Sequence, residues 1–305
     1  GFHVTGVHGV IGATVSAAAM RGLDAATTAS AVGLATSHAG GITEYTVSGG
    51  DVKRLHAGLA AMGGIRSATL AARGFRGPTT ALEGQRGYLR AFAERRRPEL
   101  ILDRLGEVWH ADQLAAKPYF ACAGIHAPLG AVEQLRARGL TAADVDEIVV
   151  GFAEPSLHHV GRIGAYPQDV TAAQFSARFS LAMNLVLGGN DIEHYRRFAE
   201  RGYDLPDVSA LAERIRLEVD PAADAAFPDR IFATVALRTV DGSILTATSP
   251  SKGTPDDPLT ADELVAKYRR LAGQVLADRQ VREVESAVFA LAENGPVAAV
   301  LASLE

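Results

Sequence analysis

The stretch Gly49-Gly50-Asp51-Val52-Lys53-Arg54-Leu55-His56-Ala57-Gly58 places a basic side chain at the start of a helix directly after a glycine loop. Gly49 and Gly50 allow close backbone approach and positive φ, and the run from Val52 to Ala72 predicts a long helix whose first amides have no intrahelical acceptor. Together these features make an anion site. The positive end of the helix dipole disfavours a lysine in the first turn, so Lys53 calls for a compensating charge, and a bound carboxylate or phosphate supplies one. A solvated surface lysine beside Asp51 fits the same residues equally well.

Two histidines add proton chemistry. His3, within Gly1-Phe2-His3-Val4-Thr5, and His126, after Lys117-Pro118-Tyr119-Phe120-Ala121-Cys122-Ala123-Gly124-Ile125, each stand near the N-terminal end of a predicted helix. That position lowers an imidazole pKa and favours the neutral ring a general base needs, although a hydrogen-bonded structural histidine is the more frequent use of such a place. His158, His159 and His194 stand in polar stretches and receive no role. No histidine has carboxylates at ligand spacing and Cys122 is the single cysteine, so neither a metal site nor an internal disulfide is expected. The chain also lacks Gly-x-Gly-x-x-Gly after a strand, a Walker loop, His-Glu-x-x-His and Gly-x-Ser-x-Gly.

The elements that must hold these groups follow from composition and pattern. A chain of 305 residues with a hydrophobic fraction of 48% can build a substantial core in more than one unit. A formal charge of -5 gives no basic footprint for nucleic acid, and no apolar run approaches the roughly 20 residues of a membrane span. A cytoplasmic protein is expected. The first hundred residues read as helices rich in Ala and Gly, Gly9 to Arg21, Ala25 to Ala39, Val52 to Ala72 and a short Leu82 to Phe92. Side chains this small predict closely approaching central helices, with Gly58 at a tight crossing where Gly58→Leu would overpack.

After about Trp109 the texture changes. Val145 to Gly151 and Arg214 to Val219 predict strands, and Ile231 to Thr239 and Ser243 to Thr248 a hairpin around Asp241-Gly242, with helices Ala127 to Arg138 and Ser176 to Leu187 between. Thr260-Ala261-Asp262-Glu263 is a capping box that opens a helical tail to Leu304. The fold class expected is therefore mainly α with an inserted α+β domain. Residues 1–116 and 254–305 form a helical domain from both chain ends, and residues 117–253 the smaller α+β domain.

These residues also carry a resemblance. Phe2-His3-x-Thr5 with Gly9-x-x-Gly12-Ala13, the Gly49 to Ala61 stretch, Gly74-x-x-Gly77-Pro78 and Leu82-Glu83-Gly84 resemble blocks of the MmgE/PrpD family. Lys117-x-Tyr119-x-x-Cys122-x-x-x-His126, Asp169-x-x-x-Ala173-Gln174-Phe175-Ser176 and Pro258-Leu259-Thr260-x-x-Glu263-Leu264-x-x-Lys267-Tyr268 continue it in family order. The resemblance implies that the α+β domain is a lid, that the protein is a homodimer, and that it acts without a cofactor on small polycarboxylates. Family activities include 2-methylcitrate dehydration, cis-aconitate decarboxylation and iminodisuccinate epimerisation.

By position, the resemblance gives Lys53 the substrate carboxylate and gives His3 and His126 proton transfer, with Thr5, Tyr45 and Gln174 lining the cleft. It implies a lyase of the 2-methylcitrate dehydratase (hydro-lyase) kind, with an epimerase or isomerase of a dicarboxylate, or a catalytically incomplete carboxylate-binding protein, as alternatives. Phe179 stands where the decarboxylase carries a tyrosine, which points away from decarboxylation. The family's N-terminal helical segment, with its Asp-rich motif ending in Thr-His, has no counterpart in these 305 residues. Since the chain opens at Gly1-Phe2-His3 without methionine, it is expected to start inside a longer polypeptide and to be catalytically incomplete as written.

Lys53→Ala should leave thermal stability unchanged or raise it, because it removes a cation from the positive end of a helix. A marked fall in melting temperature would show that Lys53 has a structural partner instead.

Overall fold

A computed structural model describes residues 1–304. The first part is helical: α1 (Val4–Met20), α2 (Ala25–Ala35), α3 (Tyr45–Ser48), α4 (Val52–Ala72) and α5 (Tyr88–Phe92). The middle holds α6 (His126–Ala137), β1 (Val145–Phe152), α7 (Glu154–Val160), α8 (Val170–Phe175), α9 (Ala177–Leu187), α10 (Ile192–Glu200), α11 (Pro206–Ala212), β2 (Ile215–Val219), α12 (Pro221–Ala226), β3 (Phe232–Thr239) and β4 (Ile244–Pro250). The tail is α13 (Ala261–Ala272), α14 (Asp278–Leu291) and α15 (Val297–Ala302). Mainly α with a small sheet describes the whole. Among the described residues no helix is long and apolar enough to cross a membrane.

α1 and α4 form the main helix pair of the first part, with α2 against both. α1 starts at Val4, before the expected Gly9, because its glycines serve packing. A Cβ on Gly6 would fall 2.1 Å from the Gly40 carbonyl oxygen. The tightest approach of α4 to α1 is at Gly64, where a Cβ would lie 2.6 Å from that of Ala13 and 2.7 Å from its carbonyl carbon. Gly58 corrects the sequence expectation: nothing lies within 4 Å of a Cβ built there, so it marks no crossing. Periodicity located the helix but could not say which glycine faced its neighbour.

The middle segment carries the main hydrophobic core. Its sheet has the order β2-β1-β3-β4, with β1 parallel to β2 and antiparallel to β3, and with β3 and β4 joined as the expected hairpin. Ile148 and Val150 of β1 and Val235 and Leu237 of β3 face the core that α6 and α9 complete. The crossover from β1 to β2 runs through α7–α11, helices that parallel pairing requires. Of these, only α9 stood out in the sequence. The Ala116 N–H donates to the Gly253 carbonyl at 2.8 Å, so the two ends of segment 117–253 meet at its base.

α13 packs chiefly on α14, where the Arg269 fork holds Glu285 at 2.7 and 2.8 Å. No residue of α13 is buried, and polar contacts tie it to the middle segment: Lys267 Nζ donates to the Lys117 carbonyl at 2.6 Å and Lys252 pairs with Glu263 at 2.6 Å. The capping box between Thr260 and Glu263 forms as expected.

The two glycines of α4 should separate in a denaturation experiment. Gly64→Ala forces a methyl into the α1 backbone and should cost about 1–3 kcal/mol, whereas Gly58→Ala only stiffens an exposed helical position and should gain about 0.4–1 kcal/mol. Urea midpoints that move in the same direction for both would contradict this packing.

Candidate active site

A cavity of about 540 Å³ opens where the three parts of the chain face one another. His3, Lys53 and Arg54 come from the first part, Lys117, Cys122 and Gln174 from the middle, and Lys267 and Arg270 from α13. Five cations, Lys53, Arg54, Lys117, Lys267 and Arg270, line it against one carboxylate, Asp191. Such a wall is built to receive negative charge.

Lys53 is set by the helix it begins. α4 starts at Val52, and the lysine Nζ lies 4.8 Å from the centre of the Phe175 ring. Burial, and then the charge of Lys117, lowers its pKa. The amide half of the expected anion site is already filled by the protein. Asp169 Oδ2 accepts the Gly50 N–H at 2.8 Å while its Oδ1 caps α8 through the Ala172 N–H at 2.7 Å. The loop amide therefore docks the first part of the chain on the middle segment, and Lys53 is the group left for an external anion.

Its neighbour Arg54 is engaged in the wall. Arg54 donates to Thr171 Oγ1 and to Gln174 Oε1, both at 3.0 Å, and the Gln174 amide donates to the Phe120 carbonyl at 3.0 Å. Gln174 thus lines the cavity with both ends of its amide already bonded. Lys117 Nζ donates to the Ala121 carbonyl at 3.2 Å, and Arg270 reaches Asp191 Oδ2 at 3.3 Å.

His3, the residue before α1, brings its Nδ1 to 3.0 Å from Nδ1 of His56, so one ring donates to the other. Burial lowers the His3 pKa, and the charges of His56, Lys53 and His159 lower it further. The neutral form is favoured, as a base needs. His159, on α7, packs edge-on against Phe175 with ring centres 5.3 Å apart, and burial followed by Lys53 lowers its pKa too. Phe175 therefore touches both the Lys53 cation, over its ring, and the His159 ring.

The structure gathers His3, Thr5, Lys53 and Gln174 on the cavity wall and sets Tyr45 and His126 behind it. Tyr45 is 2% exposed and its ring meets those of His3 and Phe175 at 5.4 and 5.3 Å. Burial pushes its hydroxyl pKa up to about 12. His126 is also 2% exposed, its Nε2–H facing the Ala121 carbonyl at 3.4 Å, and burial lowers its pKa to about 4. Phe179 is fully buried against Phe198, with ring centres 4.8 Å apart, and lies outside the cavity lining. The want of a hydroxyl there consequently says nothing about the cavity's chemistry.

Sequence reasoning assigned no site role to Arg54, Lys117, Lys267, Arg270, His56 or His159. Lys267 and Arg270 did carry a signal, since i and i+3 on a helix share a face. What they face depends on the fold. Among the described residues no group of three or more His, Cys, Asp or Glu side chains is placed to hold a metal ion.

Comparison with known proteins agrees with the blocks read in the sequence. Residues 1–101 match the MmgE/PrpD N-terminal domain and residues 119–291 the MmgE/PrpD C-terminal domain. The chain is 27% identical over 305 residues to a cis-aconitate decarboxylase of Aspergillus terreus (strain NIH 2624 / FGSC A1156), covering 95% of this chain and 62% of the relative. It is 26% identical to the cis-aconitate decarboxylases of Mus musculus and Homo sapiens, covering 94% and 90% of this chain and 59% and 57% of those proteins. The chain thus spans less than two thirds of the length of the curated relatives it matches.

The buried histidine makes stability depend on pH. With a pKa of 6.5 when unfolded and about 4 when folded, His126 binds a proton more readily in the unfolded chain between those values. Stability should therefore fall as pH drops from 6.5 towards 4, by up to about 3 kcal/mol from this group. His126→Gln should flatten that part of a urea-midpoint curve, and an unchanged slope would place the titrating group elsewhere.

Proposed function

Because the chain belongs to the MmgE/PrpD family, we propose that its cavity is the active site of a lyase acting on a small polycarboxylate by proton transfer next to a carboxylate. The observation that carries this reading is the convergence of Lys53, Lys117, Lys267 and Arg270 on a space where, among the described residues, Asp191 is the one lining carboxylate. A substrate with two or more carboxylates supplies the missing negative charge.

In this reading Lys53 and Lys117 take the carboxylates flanking the reacting carbon. Neutral His3 then removes a proton from that carbon, and the negative charge that develops on the adjacent carboxylate is stabilised by Lys53 in a partly desolvated wall. His56, 3.0 Å from His3, shares the proton through the Nδ1 pair. Thr5 lines the same wall and supports binding. Tyr45 and His126 hold the wall from behind. The hydroxyl of the neighbouring carbon then leaves as water, its C–O bond breaking as it takes up the proton that His3 removed, and the new double bond completes a dehydration of the 2-methylcitrate kind.

The second reading is decarboxylation. It draws on the printed activity of the relatives, cis-aconitate decarboxylase, and on Phe179 lying outside the cavity, which removes the objection drawn from that position. Here a carboxylate leaves as carbon dioxide and a protonated histidine returns a proton to the carbon. We further read the protein as a homodimer, a reading supported by the apolar Leu55, Leu59 and Met62 that α4 leaves exposed.

Absorbance at 240 nm with 2-methylcitrate, citrate and cis-aconitate, together with carbon dioxide release, tests both readings. Lys53→Ala should lower kcat/KM by about 100-fold or more. The neutral fraction of His3 falls with falling pH, and its pKa lies below 6.5, so the acid limb of the rate profile should also lie below pH 6.5. Turnover that is unaffected by Lys53→Ala, or absent with every substrate, would sink the reading.

A further inference from the structure

We propose that Arg270 selects tricarboxylates over dicarboxylates, by exchanging its contact with Asp191 for the third carboxylate of the ligand. The inference rests on the polycarboxylate reading above and concerns a part of the cavity that reading leaves without a task.

The cations of the wall differ in how much of their hydrogen-bonding capacity the protein uses. Arg54 is held by Thr171 and Gln174, and Lys53 lies over Phe175. Arg270 instead makes one side-chain contact, from a single terminal nitrogen to Asp191 Oδ2 at 3.3 Å, with half of its side-chain surface exposed. A guanidinium has five N–H donors in a fork that matches a carboxylate bidentately, so most of this one is available to the cavity.

Asp191 is tied down on its other oxygen. Oδ1 accepts the Glu193 N–H at 3.2 Å and faces His194 Nδ1 at 2.6 Å, as the cap of α10. It can therefore release Arg270 without moving. A long, single, half-exposed ion pair of this kind holds little free energy, and a bidentate carboxylate in the cavity displaces it.

Position and mobility agree with this task. Lys267 Nζ donates to the Lys117 carbonyl at 2.6 Å and Arg270 follows it by three residues on α13, while Lys53 enters the cavity from the start of α4. Two carboxylates at the Lys53 and Lys117 end leave Arg270 for a third. α13, which carries Lys267 and Arg270, buries none of its residues and meets the middle segment by polar contacts, so its cations are the ones able to adjust to a ligand.

Tricarballylate and glutarate isolate the effect, because the first is the second with one extra carboxylate on its central carbon. Calorimetric titration of the 305-residue chain should show tricarballylate bound about tenfold or more tightly than glutarate. Arg270→Gln should erase that preference by weakening tricarballylate and leaving glutarate within about twofold. Arg269→Gln makes the same charge change on the same helix outside the cavity and should keep the preference. Asp191→Asn, which retains a capping side chain, should tighten tricarballylate several-fold. Equal weakening of both ligands by Arg270→Gln, or loss of the preference in Arg269→Gln as well, would overturn the selection by Arg270. Failure of the unaltered chain to bind either acid would overturn the polycarboxylate reading itself.

Discussion

The organisation of this site depends on a half-buried lysine that no carboxylate of its wall pairs, among the described residues. Among the described residues no acidic side chain lies within ion-pair distance of Lys53. Asp169, which could have neutralised it, is committed to the Gly50 amide and to the cap of α8, and Asp51 stands in solvent beside Arg54. The face of Phe175 gives the charge partial compensation. Half-burying a cation this way costs free energy unless something arrives to pair with it, and the lowered pKa of Lys53 reflects that desolvation.

The surrounding architecture maintains this imbalance. α1 and α4 approach closely through Gly64, which fixes the first turn of α4 relative to His3. The Asp169 bridge then holds that turn against α8, so Lys53, Phe175 and His159 share one wall. Tyr45 and His126 belong to the same construction from the inside. Their buried rings are satisfied by aromatic contacts or a backbone carbonyl, and they keep His3 and the Lys117–Cys122 loop in place. The tail differs in kind: it contributes charge to the cavity with little apolar anchorage of its own.

Local signals were legible in the sequence. The bounds of α4, the Asp241-Gly242 hairpin and the Thr260–Glu263 cap follow from periodicity and turn chemistry, and the ordered blocks of residues point to the family that the domain matches show. Directions were not legible. Gly58 and Gly64 look alike in a string, yet only one faces α1. His126 and His3 both stand at helix starts, yet one is sealed in the core and the other opens on the cavity. Helix α7, which carries His159, is too short and polar for periodicity to reveal. Lys267 and Arg270 acquire meaning only when the tail meets the middle segment, a contact separated by more than a hundred residues from Lys117.

Whether the half-buried lysine awaits a carboxylate is best decided by a crystal structure of the chain grown with citrate. Citrate should occupy the cavity, with one carboxylate on Lys53, a second on Lys117 and His3 within hydrogen-bond reach. A cavity that stays empty of citrate at saturating concentration, or a citrate held without Lys53, would contradict this pairing.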